Sequence, residues 1–178
     1  MSKTMATATF GGGCFWCIDA AFRRVRGVLQ VSSGYTGGNT IEPTYKQICT
    51  GLTGHAEVVN IEFDSNQISF DILLAMFFTL HDATQLNRQG NDVGTQYRSV
   101  VYYHSAEQQA QTTDYIAKLQ SQIREDIVTE VSPATTYYPA EQYHQDYYNA
   151  NPEQRYCSLL IAPKLKKFEQ DYKPFLVN

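Results

Sequence analysis

The sequence has no long apolar run, no excess of positive charge and no dense set of cysteines. Its longest apolar stretch covers residues 72–78, whereas a membrane-spanning helix needs roughly 20 residues. The amino-terminal residues lack the apolar segment of a secretory signal. The net charge of −4 offers no basic surface to nucleic acid or to an anionic membrane. We therefore expect neither partner, and a cytoplasmic location.

Metal-binding patterns are also scarce. The four cysteines, Cys14, Cys17, Cys49 and Cys157, are too few and too scattered for a disulfide framework, which favours a protein with reduced thiols. A zinc-binding interaction module would need a second close pair beside Cys14 and Cys17, and none is present. We predict no metal and no cofactor.

The histidines form no metal motif either. His81, His104 and His144 are separated by long intervals, without a His-x-x-x-His pattern. Structural or surface roles are expected for all of them, and none is identifiable as the base of a cysteine hydrolase.

Residue patterns predict one catalytic domain over residues 1–178, because no repeat, low-complexity tract or linker interrupts the chain. Strands are expected at 7–10, 28–33, 56–63, 98–103 and 127–131. Helices are expected from the first cysteine towards Gly27, from Ser69 to Leu80, from Ser105 to Ile123, over 141–149, and near the carboxyl terminus. Loops are expected at 34–44 and 82–96, with a turn-prone stretch around 137–139. This mixture predicts an α+β sandwich with a mostly antiparallel or mixed sheet.

Three glycines lead into Cys14, which stands where a helix is predicted to begin. A cysteine reacts as its thiolate, and unpaired N–H groups at a helix amino terminus stabilise negative charge. Cys14 is therefore the predicted nucleophile of a thiol-dependent redox enzyme. Phe15 and Trp16 follow Cys14, and the sequence favours two interpretations of this aromatic pair equally. The rings form a wall for an apolar substrate group, or they anchor the helix to the core.

Glu57 is the strongest candidate for an acid. In the predicted strand it shares a face with Val59, Ile61 and Phe63, so its carboxyl group should be partly desolvated. Desolvation raises the pKa of a carboxyl group and suits it to proton donation. The alternative is a solvated glutamate near a strand end.

Other polar residues carry weaker signals. Asp92 and Tyr97 lie at either end of Asp-Val-Gly-Thr-Gln-Tyr in the long loop, and Tyr45 ends the segment Glu-Pro-Thr-Tyr. Each by itself is more simply a core tyrosine or a turn aspartate than a catalytic group. Cys49 follows Ile48 in a predicted buried segment, where a structural role is expected.

Six motifs together resemble the A-type peptide methionine sulfoxide reductases. They occur in the order of that family and lie at residues 12–16, 33–38, 43–45, 53–57, 89–99 and 140–147, within a resemblance that spans roughly residues 5–157. The resemblance implies an α+β fold with a ferredoxin-like two-layer core. It implies reduction of methionine-S-sulfoxide, free or in proteins, with thioredoxin as reductant. A monomer is expected.

The resemblance also implies a role for each matched residue. Cys14 attacks the sulfoxide sulfur and Glu57 donates a proton, while Tyr45 and Tyr97 bind the sulfoxide oxygen. The pocket residues it implies are Phe15 and Trp16 for the methyl group and Asp92 for positioning the substrate. Methionine then leaves, and Cys14 becomes a sulfenic acid that a second thiol converts to a disulfide. Thioredoxin restores the thiols.

The resemblance leaves three alternatives open for that second thiol. Cys157 resembles the distal resolving cysteine of the family and is the preferred candidate. Cys17, where many members have glycine, comes next, and direct reduction of the sulfenic acid is third. The runner-up function is a general Cys-x-x-Cys thiol–disulfide oxidoreductase, which lacks support because no thioredoxin-like βαβ pattern surrounds the pair.

Overall fold

The computed structural model describes residues 5–177. Its strands are β1 (Met5–Gly11), β2 (Val28–Thr36), β3 (Ala56–Asp64), β4 (Arg88–Gln89), β5 (Asp92–Val93), β6 (Val100–Tyr103), β7 (Glu130–Pro133) and β8 (Tyr137–Pro139). Its α-helices are α1 (Phe15–Phe22), α2 (Tyr45–Ile48), α3 (Phe70–Leu80), α4 (Ala106–Gln120), α5 (Tyr147–Ala150) and α6 (Ala162–Asp171). Short 3₁₀ turns cover Thr95–Tyr97, Gln142–His144 and Lys173–Phe175, and a π-helical turn covers Cys157–Ile161.

Six strands form one sheet in the order β7-β6-β1-β3-β2-β8, and β4 pairs with β5 in a separate hairpin. The pairing of β6 with β7 is parallel, whereas the other pairs of the large sheet are antiparallel. A mixed sheet with helices packed against it confirms the predicted α+β class. In the part of the chain described, no helix is both long and apolar enough to cross a membrane.

The helices pack on the face of the sheet that carries the larger core. Phe10 of β1 stacks on Phe77 of α3 with ring centroids 4.8 Å apart, and Val59, Ile61 and Phe63 of β3 join the same cluster. Alternate residues of a strand point to the same face. Glu57 therefore points towards the helices. The opposite face holds a smaller cluster that includes Ala56 and Val58.

Two predicted helix starts are confirmed. The Ser69 side chain accepts a hydrogen bond from the N–H of Ile72, and the Ser105 side chain accepts one from Gln108. Ser105 and Gln108 have the spacing of a capping box, and only half of it forms, because the Gln108 side chain accepts the N–H of His104 rather than that of Ser105.

Several predicted boundaries were wrong. Helix α1 ends at Phe22, and Val25 beyond it forms a β-bridge with Leu176. Residues 34–36 extend β2 because β3 and β8 pair with them, and 137–139 is a strand at the sheet edge rather than a turn. The helix predicted over 141–149 is divided at Asp146, whose φ of 53° is left-handed. Cys49, predicted to be buried, is exposed.

Candidate active site

The glycine-rich loop delivers Cys14 to the amino terminus of α1, as the sequence predicts. Cys14 is the N-cap residue of the helix. Gly13 has a φ of +84°, and a Cβ there would lie 2.9 Å from the Gln89 side chain. The Gly13 N–H donates to the carbonyl oxygen of Tyr97 at 3.1 Å. Glycine is thus required both by the backbone conformation and by the close packing of the loop.

The electrostatic environment of Cys14 differs from the prediction. Burial raises the pKa of the Cys14 thiol well above its usual value, the neighbouring Glu57 raises it further, and only the backbone N–H of Trp16 lowers it. The one N–H donor at the helix terminus lowers the pKa less than desolvation and the nearby Glu57 carboxyl group raise it. The resting site therefore holds Cys14 as a thiol at neutral pH.

Glu57 is buried, with 1% of its surface exposed, as its strand face predicts. Its Oε1 accepts the N–H of Phe15 at 3.2 Å, and its Oε2 has no hydrogen-bond partner among residues 5–177. Burial raises the pKa of Glu57 to about 8, against the effect of the Phe15 N–H. The carboxyl group carries a proton at neutral pH, and one of its oxygens is free to use it.

Tyr45 and Tyr97 face this carboxyl group from two different segments. Burial first, and Glu57 second, raise the pKa of both hydroxyls above the usual value. Both tyrosines therefore stay protonated and can donate hydrogen bonds. Glu141 holds Tyr45 in place, because its carboxylate accepts the Tyr45 N–H at 2.8 Å and the Tyr35 hydroxyl at 2.9 Å.

Asp92 lines the same cavity as Cys14. Its Oδ2 accepts the hydroxyl of Tyr156 at 2.5 Å. The Asp92 charge also contributes to the raised pKa values of Cys14 and Glu57. Sequence reasoning did not single out Tyr156, which precedes a candidate resolving cysteine but shows no catalytic pattern of its own.

The structure supports a different interpretation for each residue of the aromatic pair, Phe15 and Trp16. Phe15 is fully buried in the core, in contact with Tyr35 at 5.7 Å between ring centroids. Trp16 is only partly buried and stacks on Tyr147, with centroids 3.8 Å apart and planes at 8°. Phe15 anchors the helix, whereas Trp16 presents part of an aromatic cluster to the surface beside Cys14.

His144, expected to be structural or at the surface, is fully buried at the centre of this cluster. Its Nδ1 accepts the indole N–H of Trp16 at 2.9 Å, and its ring lies 4.3 Å from that of Tyr45. Burial lowers its pKa, so the ring is neutral and suited to accept this bond. In the sequence, only the location of His144 within the motif at residues 140–147 could have indicated this role, because its partner Trp16 is far away along the chain.

The two candidate resolving cysteines occupy different surroundings. Cys17 lines the same cavity of about 280 Å³ as Cys14. Cys157 is fully buried in the hydrophobic core and is not among the residues that line this cavity. All four cysteines are free. Within residues 5–177, no group of three or more His, Cys, Asp or Glu side chains is placed to hold a metal ion.

Comparisons with known proteins agree with this geometry. The family model described as "Peptide methionine sulfoxide reductase" matches residues 6–175. The peptide methionine sulfoxide reductase MsrA of Acinetobacter baumannii (strain AYE) is 53% identical over 174 residues, covering 98% of this chain and 100% of the relative. The MsrA of Saccharolobus solfataricus is 51% identical, covering 92% and 93%.

Solved structures give the same result. Reduced Mxr1 from Saccharomyces cerevisiae has a TM-score of 0.80 at 31% identity, covering 86% of this chain and 89% of the other. Methionine sulfoxide reductase A of Corynebacterium diphtheriae has a TM-score of 0.75 at 39% identity, covering 83% and 76%. With the family model and relatives above half identity along nearly the whole chain, the protein belongs to the peptide methionine sulfoxide reductase family, and to its MsrA branch.

Proposed function

We propose that the protein reduces methionine-S-sulfoxide, free or in proteins, to methionine, with Cys14 as nucleophile and Glu57 as proton donor. One observation carries the assignment. Beside the helix-terminal Cys14 stands a buried carboxyl group that holds a proton at neutral pH and has one oxygen without a partner.

The chemistry needs such a donor, because a sulfoxide sulfur becomes a good electrophile only when its oxygen is protonated or strongly hydrogen-bonded. Glu57 transfers its proton to that oxygen as Cys14 attacks the sulfur. The Glu57 carboxylate formed in this way then receives the proton of the Cys14 thiol. The oxygen ends on Cys14, so one thiol and one sulfoxide give one sulfenic acid and one thioether.

The remaining residues bind and orient the substrate. Tyr45 and Tyr97 donate hydrogen bonds to the sulfoxide oxygen, and Trp16 forms the exposed wall of the pocket for its methyl group. Phe15, which is fully buried, anchors the helix that carries Cys14 and Trp16. Asp92, whose position the Tyr156 hydroxyl stabilises, orients the rest of the substrate. Each role is supported by the location of the side chain around Cys14 and Glu57.

A second thiol, Cys157 or Cys17, then closes a disulfide with Cys14, and thioredoxin reduces it. A cytoplasmic location is part of the proposal and is supported by the free state of the cysteines. We also assign one catalytic domain with a ferredoxin-like two-layer core. Its support is the order β6-β1-β3-β2, with α1 between β1 and β2 and α3 between β3 and β6.

A thioredoxin-coupled assay with both sulfoxide epimers tests the proposal. The S epimer should be turned over and the R epimer should not, and Cys14→Ser should abolish turnover. Circular dichroism of the variant establishes that it is folded. Turnover retained by Cys14→Ser would refute the nucleophile, whereas disulfide exchange without sulfoxide reduction would point to a general thiol–disulfide oxidoreductase.

A further inference from the structure

Two neighbouring cavities form a groove that starts at Cys14. The first has a volume of about 280 Å³ and the second of about 270 Å³, and Leu80, Gln89 and Lys164 line both. We call the two together the flanking groove. Cys14 lines the first cavity, whereas Glu57 lines neither. The groove is therefore joined to the reacting sulfur and is separate from the group that donates the proton.

One wall of the flanking groove is fixed by hydrogen bonds within the loop and the β4–β5 hairpin. The Gln89 side chain accepts the Asp82 N–H and donates to the Asp82 carbonyl oxygen, both at 3.0 Å. The Gln85 side chain accepts the Gly90 N–H at 2.7 Å. Since these bonds hold the wall before any ligand arrives, a bound segment does not have to order it, which favours binding.

The other wall comes from the carboxyl-terminal helical segment. Lys164, Lys167 and Phe168 line the second cavity, and their spacing of three and four residues places them on one face of α6. Leu160, in the π-helical turn before α6, lines the first cavity and is 45% exposed. The groove thus combines apolar surface that a ligand can cover with two ammonium groups at its edge.

The charge of Lys164 acts in both parts of the groove. Burial raises the pKa of Cys17, which lines the first cavity, and Lys164 lowers it. Burial, with a smaller contribution from Lys164, lowers the pKa of His81, which lines the second cavity, to about 4. His81 is therefore neutral at pH 7 and adds no charge of its own.

The two lysines have no carboxylate partner. Every ion pair within residues 5–177 uses an arginine, and Lys164 and Lys167 are both exposed. A lysine without a partner is free to pair with an anionic group of a ligand.

The two carboxylates that line the groove, in contrast, already have partners. Asp82 Oδ1 accepts the Thr84 N–H at 3.0 Å and the Thr84 hydroxyl at 2.6 Å. Asp92 Oδ2 accepts the Tyr156 hydroxyl at 2.5 Å. These fixed donors offset part of the negative charge. The unpaired charges that the groove offers to a ligand are therefore positive.

We propose that the flanking groove binds the residues next to methionine sulfoxide in a protein substrate, and that Lys164 and Lys167 select substrates with an acidic side chain among those residues. A sulfoxide side chain held at Cys14 leaves its own backbone at the start of the groove, so the chain on one side of it continues between the two walls. The inference rests on the proposed function, which places the sulfoxide at Cys14.

Paired peptides test the preference. Short capped peptides carry methionine-S-sulfoxide at the centre and either Asp or Asn at one flanking position, scanned along both sides. The rate of the first turnover is measured below saturation and without reductant, so that only peptide binding and sulfoxide reduction contribute.

We expect the Asp peptide to react about threefold faster than its Asn partner when the acidic residue lies on the side that enters the groove. On the other side it should give no advantage, because the net charge of −4 does not attract an anion. Added salt should remove the preference. Equal rates for Asp and Asn on both sides would overturn the inference, whereas no methionine from any peptide would overturn the proposed function.

Lysine variants locate the preference in the groove. Lys164→Gln and Lys167→Gln should each reduce the Asp-to-Asn rate ratio, and the double variant should bring it to about one. Lys164→Arg should keep the ratio because it keeps the charge. Lys166→Gln is the matched control, since it changes the net charge equally on the same helix but lies outside the lining of both cavities, and it should keep the parental ratio.

Circular dichroism establishes that each variant is folded. A parental ratio in the double variant would refute the role of the two lysines. If the double variant kept that ratio and instead slowed only the thioredoxin-dependent step, the groove would serve the reductant, and the inference would be wrong.

Discussion

One buried carboxyl group, that of Asp19, lies on α1, and a second, that of Glu57, accepts the N–H of its first residue; their surroundings are opposite. Asp19, fully buried, forms an ion pair with Arg23 and accepts the Ser33 hydroxyl at 2.7 Å and the Asp146 N–H at 3.4 Å. Glu57, equally buried, accepts one backbone N–H and leaves one oxygen without a partner in the described chain.

Burial raises the pKa of both groups, but the outcome differs. At Asp19 the guanidinium of Arg23 and the hydroxyl of Ser33 oppose the effect of burial, whereas at Glu57 burial raises the pKa to about 8. A paired carboxylate fixes the segment that carries Asp146 against α1. An unpaired carboxyl group instead holds a proton for transfer. The partners of a buried carboxyl group, rather than its burial, therefore decide whether it stabilises the fold or takes part in proton transfer.

Glu57→Gln should reduce the rate of the first turnover more than any other substitution considered for the two carboxyl groups. It removes the transferable proton while keeping the shape, so the first-turnover release of methionine should fall about a thousandfold, within the range of general acid catalysis. Rapid-quench measurement of methionine checks this. Equal first-turnover rates for the variant and the parent would remove Glu57 from the role of acid.

The pH dependence of stability should separate Glu57 from a paired carboxylate. The unfolded Glu57 ionises near its usual pKa of 4.5, whereas the folded one keeps its proton up to about 8. The free energy of unfolding of the parent, relative to Glu57→Gln, should thus fall as pH rises from about 4.5 to 8, by about 1.4 kcal/mol per pH unit. Urea unfolding of both proteins across this range measures it, and a constant difference would contradict the raised pKa.

Asp19→Asn should mainly affect stability. It removes the shorter ion pair of Arg23, which is partly exposed and keeps the Asp146 carboxylate at 3.6 Å, so we expect a loss of about 2 kcal/mol in the free energy of unfolding. The first-turnover rate should change less than about twofold, since Asp19 makes no contact with the proposed chemistry. A hundredfold slower first turnover in a folded Asp19→Asn would show that the two carboxyl groups are not functionally separate.

The smallest effects are expected from removing one hydroxyl beside Glu57, that of Tyr97, and one beside Asp19, that of Ser33. Tyr97→Phe should slow the first turnover about tenfold, the rate equivalent of one net hydrogen bond of about 1.4 kcal/mol, with little loss of stability. Ser33→Ala should lower the free energy of unfolding by about 1 kcal/mol and leave the rate unchanged. Rapid-quench rates and urea unfolding check both variants. A slower first turnover in Ser33→Ala together with a loss of stability alone in Tyr97→Phe would contradict the roles given to the two hydroxyls.

Much of the fold and of the site could be predicted because the signals are local. The strand 56–63 and the helix that Ser69 opens follow from alternation and capping, which involve neighbours along the chain. The burial of Glu57 follows from its strand face. The edge strand at 137–139 and the end of α1 at Phe22 could not be predicted in this way, because pairing with β2 and with Leu176 decides them.

The helix-terminal location of Cys14, the buried face of Glu57 and the family membership of the chain can all be read from the sequence. The resting thiol state of Cys14, the hydrogen bond from the Trp16 indole to His144 and the cavity that Cys14 shares with Cys17 become visible only in the folded chain. The physical reason is that desolvation and charge act through space. His144 and Tyr156, both more than a hundred positions further along the chain, supply part of the surroundings of residues 12–16.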